Sequence, residues 1–252
     1  MRARSASDLL EVWEHGRGKT PVEQALVILG FAFPRVPATD LWQLTIGQRD
    51  ACLLYLRELT FGSQLKGLAD CPACGDRLEL MFDARDLRGQ TTPLPDSETV
   101  EPIRAESSFS HGAYELIFRL PTSADLTVLA LQADVSQVQQ RLLEACLTSV
   151  KKDGETVPAN SLPAEVVSTL IEKMEQADPL AELTLSATCP ACGHAWRIVF
   201  DIVSYFWGEI QAWAARLMHE VHMLASAYGW READILAMSA WRRQRYLEMI
   251  AI

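Results

Sequence analysis

Residues 71–75 read Cys-Pro-Ala-Cys-Gly, and residues 189–193 repeat the same five amino acids. The similarity continues beyond each cysteine pair, since Phe82-Asp83 recurs as Phe200-Asp201 at the same shift of 118 positions. Apolar residues alternate after the first pair and before the second, which is the pattern of a half-buried strand. The sequence therefore predicts two equivalent half-sites, each a tight turn followed by a strand.

The spacing of these cysteines predicts a metal site. Two cysteines separated by two residues can reach one ion from a tight turn, and the glycine that follows permits a left-handed backbone. Zinc prefers four tetrahedral thiolate or imidazole ligands. We predict one structural Zn²⁺ per chain, held by Cys71, Cys74, Cys189 and Cys192 in a zinc ribbon split by residues 75–188. Four thiolates leave no open position for water or substrate, so this zinc would stabilise the fold.

Other uses of the cysteines stay open. Each pair could be a redox dithiol, although such pairs usually open a helix. Each could also be half of a site completed by another subunit, and iron could occupy the same ligand set. His194 could replace or hydrogen-bond a thiolate, but an exposed residue at the start of a strand is favoured.

Composition limits the class of protein. The chain has 252 residues, 49% hydrophobic and 22% charged, which is typical of globular domains with real cores. Its net charge of -10 argues against a nucleic-acid partner and suits basic or neutral protein partners. The N-terminus lacks an apolar signal region, and Ala25 to Phe33 is too short to span a bilayer. We therefore expect a cytoplasmic protein without membrane contact, whose six cysteines are thiols or metal ligands.

Apolar periodicity predicts a mostly helical chain. Thr20-Pro21 is typical of a helix start, and Gly30 is expected to end that helix. Residues 91–102 predict an exposed loop, and residues 114–120 a strand. Further helices are predicted over Ile46–Phe61, 136–150, 163–176, Ile202 to about Tyr228, and two short segments near 232–238 and 241–250.

These elements predict an α+β fold, mostly helical, built around a split zinc ribbon with four cysteine ligands and a helical insertion. The ribbon would comprise residues 62–90 and 180–203. An inserted α+β module would occupy 104–179, between an N-terminal helical region (1–61) and a C-terminal helical region (204–252).

Few other residues suggest chemistry. His219 and His222 are three positions apart, whereas a metalloprotease helix needs four, so a polar helical face with one partly buried histidine is favoured. Cys146 is expected in the core. Residues 242–245 could contact phosphate or an acidic partner, but a solvated helix face is favoured. With no phosphate loop, nucleophile elbow or carboxylate pair, we expect no catalytic residues and no enzyme.

Several longer stretches of the sequence resemble a known protein family. They are residues 119–126, Cys189 to His194 with Trp196, Phe200-Asp201 and Trp207, and a C-terminal block at 220–225, 227–230, 232–239, Arg242-Arg243 and 246–248. Together they resemble myovirus-type baseplate hub assembly chaperones and their relatives in extracellular contractile injection systems, from about Trp42 to Ile250.

The resemblance implies an assembly chaperone or baseplate-associated component of a phage-tail-like particle. Its partners would be baseplate, tube or other tail proteins, contacted by protein–protein docking. Independently of the resemblance, most of the four tryptophans clustered in the last quarter are expected in the core, and an exposed one would mark a docking surface; they are Trp207, Trp213, Trp230 and Trp241. A nucleic-acid-binding zinc-ribbon protein and an enzyme with a purely structural zinc remain as alternatives.

Overall fold

Helices dominate the computed structural model, which describes residues 5–88, 100–129 and 135–250. The helices are α1 (Ala6–Gly16), α2 (Pro21–Ala32), α3 (Ala38–Trp42), α4 (Ile46–Phe61), α5 (Ala84–Arg88), α6 (Ser123–Leu129), α7 (Val135–Cys146), α8 (Ala164–Ala177), α9 (Ile202–Tyr228), α10 (Glu232–Leu236) and α11 (Ala240–Ile250). A 3-10 turn spans Ala159–Ser161.

In the described part of the chain, the strands form three separate antiparallel sheets. They are β1 (Gln64–Asp70), β2 (Arg77–Asp83), β3 (Ser107–His111), β4 (Tyr114–Phe118), β5 (Leu147–Lys152), β6 (Glu155–Thr156), β7 (Thr184–Thr188) and β8 (Ala195–Val199). Strands β1 and β2 pair as one hairpin and β7 and β8 as another, while β3 to β6 form a four-stranded sheet in chain order. The predicted α+β class is confirmed.

Local sequence explains where the first helices begin. Helices α1, α2 and α4 each start with a capping box. In this motif the N-cap hydroxyl accepts a hydrogen bond from the backbone N–H three residues later, and the side chain of that later residue accepts one from the backbone N–H of the N-cap. The predicted start at Thr20-Pro21 and the predicted helix Ile46–Phe61 are therefore confirmed.

Two helix ends were predicted wrongly. Helix α2 passes through Gly30 and ends at Ala32, because the buried Ala32 and Phe33 continue its core-facing stripe and one internal glycine costs only about 1 kcal/mol. Helix α7 stops at Cys146, so Val150 is not helical. Val150 lies in β5 opposite Leu116 of β4, and this pairing overrides the helical spacing.

The main apolar core holds the bases of both hairpins. It is built from α1, α2, α4 and α9, with side chains such as Leu29, Leu53 and Ile210 fully buried. Residues at the ends of the two hairpins join the same core, namely Leu65, Ala84, Leu183 and Ile202. A smaller core lies between the four-stranded sheet and α8. The hairpins are thus fixed at their bases by helices that surround them in the chain.

Helix α9 carries the chain away from the second hairpin. Asp201 caps it by accepting hydrogen bonds from the N–H groups of Val203 and Ser204. Its predicted extent, Ile202 to about Tyr228, is confirmed. Among the described residues, no helix combines the length and apolarity needed to cross a membrane.

The predicted loop at residues 91–102 falls largely outside the described part of the chain. Val100 to Pro102, which the structure does describe, have no regular secondary structure.

Candidate metal centre

The two hairpin tips bring four thiols together. The sulfurs of Cys71, Cys74, Cys189 and Cys192 all lie within 4.8 Å of one another. Across the two tips, Cys71 Sγ is 3.7 Å from Cys192 Sγ, and Cys74 Sγ is 3.6 Å from Cys189 Sγ. The fold therefore joins cysteines that are far apart in the chain in one cluster.

Each tip has the same backbone geometry. In the first, the N–H of Gly75 donates to the carbonyl of Cys71 at 2.8 Å, and the N–H of Cys71 donates to Asp76 O at 2.8 Å. In the second, Gly193 and Cys189 make the corresponding bonds at 2.9 and 2.8 Å, with His194 in place of Asp76. These bonds close a turn that aims both sulfurs of a pair to the same side.

The internal repeat extends further than the sequence pattern indicated. At the shift of 118, buried Leu65 corresponds to buried Leu183, and Ala84 corresponds to Ile202, the first residue of a helix in each half. Asp83 accepts from the N–H of Arg85 as Asp201 accepts from the N–H of Val203. Strand β7 was predicted from the alternation before the second pair, but β1, which completes the first hairpin, was not. The match of Leu65 to Leu183 was the available signal for β1.

Equivalent side chains of the repeat pack against each other. The rings of Phe82 and Phe200 meet edge to face, with centroids 5.1 Å apart. Tyr205 of α9 packs on Phe200, and its hydroxyl both donates to Lys66 O and accepts from Lys66 N–H, each at 3.0 Å. These contacts hold the two hairpins together below the cysteines without any metal.

Burial divides the thiols into two kinds. Cys71 and Cys189, the first cysteine of each pair, are buried, and Cys74 and Cys192 are exposed. Leu78 shares the buried cluster with the first two, and Leu80 and Trp196 pack against it. One side of the cluster is therefore closed by protein.

Hydrogen bonds from the tips favour thiolate at one position. Burial raises the pKa of Cys71, but bonds from the backbone N–H groups of Cys74 and Ala73 and from nearby thiols lower it to about 7 overall. For Cys74, the backbone N–H of Asp76 lowers the pKa, while bonds shared with Cys192 and Cys189 raise it to about 12. Neighbouring thiols resist joint ionisation because their negative charges repel, and a bound cation would remove that repulsion.

The donor set fits zinc. Four thiolates at Zn–S distances near 2.3 Å in a tetrahedron place their sulfurs about 3.8 Å apart, close to the 3.6 and 3.7 Å separations across the tips. A sulfur-only set disfavours magnesium and calcium, which take oxygen ligands. The arrangement is a possible metal site able to cross-link two hairpins.

The other predicted residues lie elsewhere. His194 is exposed just before β8 and stacks on Trp196, as expected. Cys146 is fully buried, also as expected. His219 and His222 are both exposed on α9, so neither is the partly buried histidine predicted there.

The C-terminal arginines do not all face solvent. Arg243 is buried and pairs with Glu220 at 2.9 Å, which corrects the prediction of a fully solvated face. Helix α11 packs along α9, and this contact covers one of its arginines. Trp241, by contrast, is 73% exposed.

Comparison with known proteins identifies a family. No curated protein and no solved structure matches the chain significantly. A family profile described as "T4 bacteriophage base plate protein" matches residues 33–207, a segment that includes both cysteine pairs and everything between them. The chain therefore belongs to the T4 bacteriophage base plate protein family.

Proposed function

We propose that the chain is a zinc-ribbon assembly factor or structural component of the baseplate of a phage-tail-like contractile injection system. Family membership over residues 33–207 is the observation that carries this proposal. The protein would act by docking to other baseplate or tail proteins and would not be an enzyme.

The cysteine cluster supports zinc as a structural element of this function. The two hairpins carry the two ends of the segment between them, because β2 precedes it and β7 follows it. A metal that joins the tips would fix the position of this segment relative to helices α4 and α9, whose residues share the core with the hairpin bases. Docking surfaces on the intervening segment and on α4 and α9 would then stay in fixed positions relative to one another.

Several exposed apolar side chains offer candidate contacts. Leu68 and Met81 on the outer face of the first hairpin are 66% and 68% exposed, and Val199 on the second is 69% exposed. Met81 and Val199 are equivalent positions of the repeat. A baseplate protein surrounded by partners would cover such residues.

The test is co-purification of the tagged chain from cells that express its whole tail gene cluster, with zinc measured on the same sample. We expect baseplate or tail proteins and about one zinc per chain. Presence in mature particles would assign a structural part, and absence from them an assembly factor. Recovery of the wild-type chain alone, or with nucleic acid, would refute the baseplate role.

A cysteine variant tests the contribution of the metal. In Cys74→Ser an exposed ligand is replaced, so zinc should be lost with little change in packing, and partner recovery should fall. Cys52→Ala is the matched control, because Cys52 is buried in the main core outside the cluster. It should keep both zinc and partners. Full partner recovery by a zinc-free Cys74→Ser variant would refute the structural role of zinc in docking.

A further inference from the structure

An open groove, the α7–α8 groove, runs between α7 and α8. It consists of two cavities of about 450 and 280 Å³ that share Gln139 and Leu143 in their walls. Arg197 of β8 lies at one end, and the 3-10 turn at Ala159–Ser161 lies at the other. The groove thus follows helix α8, whose 14 residues span about 21 Å.

The floor of the groove is apolar and incompletely covered. Leu142 and Leu143 of α7 face Val167, Ile171 and Met174 of α8, and all five side chains remain half-buried. Two amphipathic helices normally bury such stripes against each other. Here the stripes are held apart, so the space between them can receive apolar side chains from another segment.

The rim of the groove is acidic. Glu144, Glu175 and Glu182 line it and are exposed, and none of them forms an ion pair with another described residue. Arg197 lies on the same rim and donates to Thr184 Oγ1 at 2.6 Å. Three carboxylates against one guanidinium leave the rim negative, in a chain of net charge -10.

Asp178, at the floor, is already engaged by the fold. Its Oδ2 accepts from the N–H of Gly47 at 2.9 Å and thereby caps α4. Its carboxylate is buried and so serves the fold, while the rim glutamates face whatever enters.

We propose that the α7–α8 groove binds an amphipathic helix of another protein, with apolar residues at helical spacing and lysine or arginine beside them. A helix placed between two parallel ridges can bury a stripe of i, i+3, i+4 and i+7 residues on the floor. Its basic residues would meet the rim glutamates, whereas an acidic helix would be repelled. That the partner is a baseplate or tail protein rests on the proposed function.

Charge reversal tests the groove in the full chain. We expect Glu175→Lys combined with Glu182→Lys to reduce recovery of one partner by about tenfold, with zinc content and Tm unchanged. The matched control is Glu11→Lys with Glu14→Lys, two exposed residues of α1 that give the same change in net charge. Equal recovery with both double variants, while the wild type retains partners, would refute the groove and leave the baseplate role intact.

A binding assay on the purified chain separates the groove from that role. The probes are a synthetic leucine–lysine peptide of amphipathic helical periodicity and its leucine–glutamate counterpart, followed by fluorescence anisotropy. We expect the lysine peptide to bind the wild type and the α1 control variant about tenfold more tightly than the groove variant, and the glutamate peptide not to bind. Indistinguishable binding of the lysine peptide by the three proteins would assign it to general charge attraction and overturn the proposal.

A photo-crosslinking amino acid in place of Leu143 identifies the occupant during assembly. Cross-links to a basic, amphipathic helical segment of another protein support the proposal. Cross-links confined to this chain, to a second copy of it or to an acidic segment overturn it. The same amino acid in place of Glu14 controls for chance encounters.

Discussion

Gly75 and Gly193 occupy the same position in the two hairpin tips, with φ of +76° and +73°. In this left-handed region a side chain other than glycine costs roughly 1–2 kcal/mol, because its Cβ crowds the following carbonyl. Beyond the glycine itself and its two chain neighbours, no heavy atom lies within 4 Å of a Cβ added at either position. The requirement for glycine is therefore conformational and not a matter of space.

Gly75→Ala should accordingly lower the free energy of unfolding by about 1–2 kcal/mol and weaken zinc binding, because the turn that aims both sulfurs is strained. Thermal unfolding and competition with a zinc chelator measure the two effects. Gly30→Ala is the control. Gly30 lies inside α2 with open space around it, so this change should stabilise the chain by about 0.5–1 kcal/mol. Equal effects of the two substitutions would contradict the conformational explanation.

Single residues differ in how well they could be predicted. The cluster of four cysteines was predictable because a tetrahedral metal site is commonly built from two close pairs, and a pair with a following glycine is visible in the sequence. The burial of Arg243 was not predictable, because it depends on Glu220, which lies 23 positions earlier on a neighbouring helix. No local pattern contains that information.

At the scale of elements, a partly buried ion pair joins α4 to α9. The guanidinium of Arg57 donates to both carboxylate oxygens of Glu209, at 2.8 and 2.6 Å, and to the carbonyl of Gly62 at 2.6 Å. The Arg57 side chain is 4% exposed and that of Glu209 27%. Gly62 lies just before the first hairpin, so this contact also fixes where the hairpin leaves the helix.

Arg57→Met should destabilise the chain by about 3 kcal/mol, because a partly buried carboxylate and a carbonyl lose their donor. For a chain of this size that corresponds to a fall in Tm of roughly 6–12 °C. The control Arg77→Met removes a similar pair with Asp70 that is solvent-exposed on both sides, and it should leave Tm almost unchanged. A Tm of Arg57→Met as high as that of the control would refute the role of this ion pair.

Elements were predictable where one periodicity is long and uninterrupted. The bounds predicted for α4 and α9 agree with the structure because each has a capping residue at its start and a glycine directly after its end. Strand β5 was missed because Val150 satisfies a helical spacing from Cys146 and a strand pairing with β4 at once. Tertiary contacts decide such cases, and they are not encoded locally.

At the scale of the whole molecule, zinc should stabilise the hairpins more than the helical core. The core side chains of α2, α4 and α9 pack together without help from the cysteines, whereas the tips beyond Phe82 and Phe200 have a small apolar cluster. We expect a chelator to increase hydrogen exchange in β1–β2 and β7–β8 while α4 and α9 stay protected. Simultaneous loss of protection throughout the chain would show that zinc holds the entire fold.

A buried carboxyl group with a shifted pKa makes the stability of the whole chain depend on pH. Burial raises the pKa of Asp50 to about 6; Arg49 partly offsets this, and Asp201 and Asp178 add to it. In the unfolded chain the pKa of Asp50 is about 4. Between pH 4 and pH 6 the folded state therefore keeps a proton that the unfolded state has already released. Stability contributed by the protonated group is present below pH 4 and is lost as pH rises to about 6.

Asp50→Asn removes this dependence. The free energy of unfolding of the variant, minus that of the wild type, should rise by up to about 3 kcal/mol between pH 4 and pH 6 and then level off. Urea unfolding at several pH values measures it. Acid would release any metal held by the cysteine cluster from both proteins equally, so this effect cancels in the difference. A difference that is constant with pH would refute the raised pKa.

The long separation of the two cysteine pairs also sets an order of events during synthesis. Cys74 leaves the ribosome 115 residues ahead of Cys189, which corresponds to roughly 6–23 s at ordinary elongation rates. Throughout that interval the first hairpin displays two thiols with no counterpart. The nascent chain can complete neither the cluster nor the packing of Phe82 until the whole intervening segment has been translated. A ribosome stalled between the two pairs would therefore carry half a centre, open to oxidation and to capture by thiol reagents.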